Sequence, residues 1–218
     1  MDGRMIAFAA VAWAATASAA QAATVLISNW DDTPAGLSVV NLTSGIASWT
    51  GAPQIDIVND NTFGLRCAGA TGRCADLAGS PGAIGGTLTS SILTATASAV
   101  NVQFLYSGAQ RGRAGALFLA ELINASTNSV VASWASPALP ATVAFNTGNL
   151  SGDVGPARQF QVRFTHLGGT GNQNIGAVVD DVSFSSVIPE PSTRMLMIMG
   201  FGLIATQLRR RHRVALAA

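Results

Sequence analysis

Between residues 24 and 187 the polar and apolar positions repeat every two residues far more often than every 3.6. The clearest case is Arg158-Gln159-Phe160-Gln161-Val162-Arg163-Phe164, whose alternation puts Phe160, Val162 and Phe164 on one face of a strand. Val100-Asn101-Val102-Gln103-Phe104 does the same. Gly115 to Ile123 is apolar on both faces, the signature of a central strand covered on each side. The same reading predicts strands at Val25–Trp30, Gln54–Val58, Thr87–Leu93, Ser129–Trp134, Ala141–Phe145 and Ala177–Phe184. Turn-forming clusters separate them, including Asn59-Asp60-Asn61, Gly79-Ser80-Pro81-Gly82 and the Gly168–Asn172 run. About nine short strands without helical interludes predict an all-β fold, an antiparallel β-sandwich of jelly-roll type.

The two ends follow a different pattern. Arg4 followed by the apolar stretch Met5–Ala15 and by Ala20-Gln21-Ala22 reads as a secretory signal peptide over residues 1–23, a single helical segment too short to span a bilayer. Ala17-Ser18-Ala19 is a second possible cleavage site. At the other end, Val187-Ile188-Pro189-Glu190-Pro191-Ser192-Thr193 leads into an apolar run, Met195 to Leu208, and then into Arg209-Arg210-Arg211-His212-Arg213. A helix over that run is ~21 Å long against a bilayer core of ~30 Å, so the single membrane helix is a short one. The arginines set the membrane stop on the cytoplasmic side, which leaves the body outside, as the signal peptide also requires. Four segments result: 1–23, a 24–187 body, a 188–213 tail signal and a 214–218 extension.

This order of elements, from about Val187 to Arg213, resembles the PEP-CTERM sorting signal of Gram-negative bacteria. The resemblance implies that exosortase, a membrane enzyme, is the partner that recognises Pro189, Glu190 and Pro191 and cuts at or near them. It implies a transient inner-membrane anchor, then release to the cell surface or extracellular matrix. Proline resists helix and restrains the residue before it, so the tripeptide stays extended above the membrane. Two features depart from the pattern: Arg194 at the outer edge of the helix, and the Val-Ala-Leu-Ala-Ala extension after Arg213. The alternative is a plain anchor that is never processed.

Charge narrows the function of the body. Only 11% of residues are charged, and there is no lysine. The body carries six arginines against nine acidic residues, so it offers no basic track for nucleic acid. Cys67 and Cys74 are the only cysteines, and an exported location predicts a disulfide between them. Closing so short a loop contributes ~2.5 kcal/mol on chain-entropy grounds. A redox or metal pair is the alternative, but six intervening residues match neither C-x-x-C nor a zinc knuckle.

Catalytic patterns are absent from the sequence. His166 is the sole body histidine, reads as a surface or strand-end residue, and follows no nucleophile elbow, H-E-x-x-H or P-loop lysine. Asp31-Asp32 closes the first strand and Asp180-Asp181 lies in the last, with Asp180 facing inward by strand parity. Neighbouring terminal strands would let Asp31 or Asp32 join Asp180 around a structural calcium; otherwise Asp180 accepts backbone N–H bonds. Trp49 and Trp134 stand among small polar residues near turns, as exposed platforms for sugar would; packing in the core is the alternative.

The stretch from Cys74 to Gly86, Ser107 to Gly112, and the closing Gly176–Phe184 are similar to PEP-CTERM proteins with a carbohydrate-binding-module-like or galactose-binding-like jelly roll. That resemblance implies a non-catalytic body binding exopolysaccharide. A glycan-active enzyme, needing carboxylates ~5–10 Å apart, and a structural adhesin without a small ligand are the competing readings.

Overall fold

The computed structural model describes residues 23–79, 86–108, 110–111, 115–168 and 176–186. The expected signal peptide, the Pro189-Glu190-Pro191 motif, the expected membrane helix and the arginines 209, 210, 211 and 213 lie outside the described residues.

Twelve strands form one continuous antiparallel sheet folded into two layers. They are β1 (Thr24–Ser28), β2 (Gly36–Ser44), β3 (Ala47–Asn59), β4 (Arg73–Asp76), β5 (Thr87–Ser90), β6 (Leu93–Thr94), β7 (Ala99–Ser107), β8 (Leu117–Asn124), β9 (Ser129–Ala135), β10 (Asn146–Asp153), β11 (Gln159–Gly168) and β12 (Val178–Ser186). The path runs β10-β7-β12-β4-β3-β5-β11-β8-β9, with β1 on β12, β2 on β3 and β6 on β11. There is no α-helix among the described residues. The protein is therefore the all-β antiparallel sandwich of jelly-roll type that the alternation predicts.

The long strand β3 joins the layers. Trp49 to Ala52 pair with β5, and from Asp56 to Asn59 the same strand pairs with β4. Between the layers the alternating residues interlock: Phe104 of β7 meets Phe164 of β11 at 5.1 Å and Phe118 of β8 at 6.2 Å between ring centroids. Phe160 and Phe184 close the other end at 5.1 Å. The terminal strands β1 and β12 are neighbours, as expected.

The strand predicted at Ala141–Phe145 is corrected: those residues are a connection, and the strand is the next segment, Asn146–Asp153. Its Asn-Thr-Gly-Asn-Leu-Ser-Gly-Asp sequence is poor in strand formers, but β7 pairs with all of it. Tertiary packing selects its glycines. A Cβ at Gly148 would stand 2.3 Å from the Phe104 ring, and one at Gly152 would stand 3.1 Å from Val131 of β9. The second contact nearly closes the sheet on itself.

Candidate functional site

The Cys67–Cys74 disulfide ties the connection between β3 and β4 to β4 itself, with sulfurs 2.06 Å apart. The disulfide is buried in a small apolar cluster with Val58, Leu65 and Val178, against which Phe145 packs. The connection between β9 and β10 runs alongside, fixed where Ser107 Oγ donates to the Thr142 carbonyl at 2.8 Å. Gly108 permits this approach, since a Cβ there would meet the Pro140 carbonyl oxygen at 2.1 Å.

Between the two connections lies a cleft of about 570 Å³, lined by Arg66, Cys67, Gly69, Ala70, Val143 and Phe145. One wall is apolar, from the half-buried Phe145 ring and the exposed Val143. The other is polar and rigid. Arg66 Nε lies 3.2 Å from Asp60 Oδ1, which also accepts the Cys67 N–H at 2.9 Å. The Gln110 side chain brackets the Arg66 backbone: its Nε2 donates to the carbonyl at 2.9 Å and its Oε1 accepts the N–H. The next residue, Arg111, sits 5.8 Å over the exposed ring of Phe63. A smaller depression of about 340 Å³ on β7, β10 and β12 is lined by small and amide side chains such as Asn101 and Ser151.

Beneath the disulfide loop is Asp180, 3% exposed. Its Oδ2 accepts the Ala68 N–H at 2.9 Å and its Oδ1 the Asp181 N–H at 2.8 Å. Burial pushes its carboxyl up to about 7 against those two donors, and Asp181 and Asp31 add like charge. Asp181 is raised too, first by burial and then by Asp31. Asp31 is held elsewhere: its Oδ1 accepts the Arg73 N–H at 2.6 Å and its Oδ2 the Asn29 side chain at 3.0 Å. Asp32 turns away, with Oδ1 on Ser44 Oγ at 2.6 Å and Oδ2 on the Gly45 N–H at 2.8 Å.

The expected calcium set of Asp31, Asp32 and Asp180 is therefore not gathered. Among the described residues the one trio of His, Cys, Asp or Glu ligand atoms within 4.8 Å of one another is Cys67, Cys74 and Asp180. Asp180 instead has the backbone donors that the sequence left as its alternative.

The tryptophans also require correction. Trp49 is 1% exposed and packs against Trp30 at 5.6 Å and Phe164 at 6.4 Å, so it belongs to the core. Trp134 is half-buried, with its ring 5.0 Å from Tyr106 and 5.4 Å from Phe118 on the inner side of β9. Trp49 presents no platform to solvent, and Trp134 is partly covered by these rings. His166 lies on β11 but is buried rather than at the surface, and burial holds its imidazole below the ordinary histidine range.

Sequence reading missed a second pair of acids. Asp56 of β3 and Asp76 of β4 stand directly opposite each other and are both buried. Asp76 Oδ1 accepts the Ala78 N–H at 3.0 Å, its Oδ2 lies 3.7 Å from Arg111 Nη2, and the Ser38 N–H donates to Asp56 Oδ1. Burial drives Asp76 up to about 7, with the Ala78 N–H and Arg111 opposing the rise and Asp56 adding to it.

Fold and site together define a β-sandwich with an open amphipathic cleft. In the tail, residues 187–211 match the PEP-CTERM protein-sorting motif. The motif marks an exported protein that transits the membrane and is handled by exosortase. No curated protein matches the chain.

Among solved structures, the body is similar to the K2 cleaved adhesin domain of Lys-gingipain. The two share 14% identity over 76% of this chain and 99% of that chain, with a TM-score of 0.50. The K1 cleaved adhesin domain of Lys-gingipain from Porphyromonas gingivalis W83 follows at 10% identity over 77% and 99%, TM-score 0.47. TmCBM61 in complex with β-1,4-galactotriose aligns at 10% identity over 62% and 86%, TM-score 0.44. At these identities the likeness is one of fold.

Proposed function

We propose that this chain is a cell-surface or extracellular-matrix protein whose tail is cut by exosortase at Pro189-Glu190-Pro191, and whose 24–187 sandwich binds exopolysaccharide without catalysis. The observation that supports ligand binding is the cleft between the disulfide loop and Val143–Phe145. A pyranose ring has an apolar face of C–H groups and a polar edge of hydroxyls. The Phe145 and Val143 wall suits the first, and the fixed guanidinium of Arg66 suits the second. Concave sites with an apolar lining and a few placed polar groups are the ordinary form of small-ligand pockets. No calcium step enters this reading.

Two experiments test it. Mass spectrometry of the mature protein from its native host should find a C-terminus near Pro189 and a mature N-terminus near Ala22 or Ala23. A surface-exposed chain that retains Arg209–Arg213 would overturn the sorting claim. On a glycan array, Phe145→Ala and Arg66→Ala should each weaken binding at least tenfold. Undiminished binding by both variants moves the ligand away from this cleft, and no binding by the wild type favours the structural adhesin.

A further inference from the structure

The trio beneath the cleft has a second capability, separate from glycan binding. Cys67 Sγ, Cys74 Sγ and an Asp180 carboxylate oxygen all lie within 4.8 Å of one another, and all three residues are buried. The six residues between the two cysteines match no local metal motif. The fold supplies the third group from the last strand, far away in the chain, and delivers it to the disulfide loop through the Ala68 N–H.

We propose that in its dithiol state the protein holds one zinc ion through Cys67, Cys74 and Asp180, with water in the fourth position. Zinc takes thiolate sulfur at ~2.3 Å and carboxylate oxygen at ~2.0–2.2 Å in a tetrahedron. Ligands at those lengths stand about 3.5–3.8 Å apart, which is within the span the three groups already occupy. The sulfurs must separate from their bonded distance, and the Cα atoms, 5.4 Å apart, already permit that. In the loop between them Gly69, at positive φ, stands uncrowded. Asp180 is a buried carboxylate with acidic neighbours Asp31 and Asp181, a setting in which a dication is electrostatically favoured. Zinc and the disulfide then exclude each other, and a newly made chain has its dithiol before it has its disulfide.

The test uses the full-length chain purified in mild detergent. A water-soluble phosphine opens the disulfide: phosphorus is oxidised to the phosphine oxide with the oxygen of water, and the two protons go to the sulfurs. Zinc then displaces both thiol protons. The reduced wild type should bind one zinc per chain, and cobalt substituted for it should show a thiolate charge-transfer band. Zinc should also raise the melting temperature of the reduced protein, since a ligand stabilises only the state that holds it. Asp180→Asn should weaken zinc binding at least tenfold, and the oxidised wild type should bind none. Were Asp180→Asn to fold poorly, the comparison of reduced wild type with and without zinc still decides. No stoichiometric binding, no rise in melting temperature, or equal affinity in Asp180→Asn would each overturn the site.

Discussion

Asp32 and Asp76 are both carboxylates that accept backbone N–H bonds, yet their surroundings shift them in opposite directions. Asp32 sits in the exposed turn after β1, where the Ser44 hydroxyl and the Gly45 N–H favour its charged form and hold it below the usual carboxylate range. Asp76 sits on β4 between β3 and β12, where burial outweighs the Ala78 N–H and Arg111 and carries it up to about 7. Hydrogen-bond donors do not by themselves fix a carboxyl's charge. The water removed from around it decides, because desolvation penalises only the ionised form.

The largest test of that contrast is the pH dependence of stability. A group whose folded pKa is raised binds its proton in the native state while the unfolded chain has already released it. Stability should therefore fall as pH rises from about 4 to about 7, by up to ~4 kcal/mol from Asp76. Thermal melts across that window should show the decline, and Asp76→Asn should lessen it, leaving the part that comes from Asp180, which is also raised to about 7. A wild-type melting temperature that climbs over the same range would break the comparison.

A smaller effect is expected at Gly45, on the Asp32 side. Its φ of +58° and the Ile27 carbonyl oxygen, 2.2 Å from any Cβ, leave room only for glycine. Gly45→Ala should cost on the order of 3 kcal/mol in denaturant unfolding at neutral pH. A loss below ~1 kcal/mol would show that the turn relaxes freely.

The smallest effect belongs to Asp32 itself. Solvent screens so exposed a group, and Asp32→Ala should cost only about 1 kcal/mol at pH 7. Its sign is opposite to that of Asp76: the contribution is present above the unfolded value of 3.8 and disappears as pH falls below it. Urea midpoints at pH 7 and pH 2.5 would sharpen the contrast if the variant and the wild type converge only at the lower value.

The parts of the protein that a linear reading captured are those whose signal lies within a few consecutive residues. Phe160, Val162 and Phe164 alternate on one strand, and the strand is there. Pro-Glu-Pro, the apolar run and the arginines follow one another in order, and the motif match covers them as far as Arg211. What escaped depends on partners distant in sequence. β10 is a strand because β7 pairs with it, not because Asn, Gly and Ser favour extension. Asp76 is buried because β3 and β12 flank it. Arg66 and Phe145 come from connections far apart in the chain, and assigning 141–145 to a strand concealed the second of them. Along the sequence Asp31 and Asp32 are equivalent candidates to join Asp180, but adjacent residues here serve separate partners, Arg73 and Ser44.

The pairing of β1 with β12 also imposes a schedule. The first strand of the sandwich has its hydrogen-bonding edge open until the last strand arrives, and β12 must also reach β7 and β4. That last strand ends at Ser186, one residue before the sorting motif begins. The residues that complete the sandwich therefore run directly into those that carry the sorting motif.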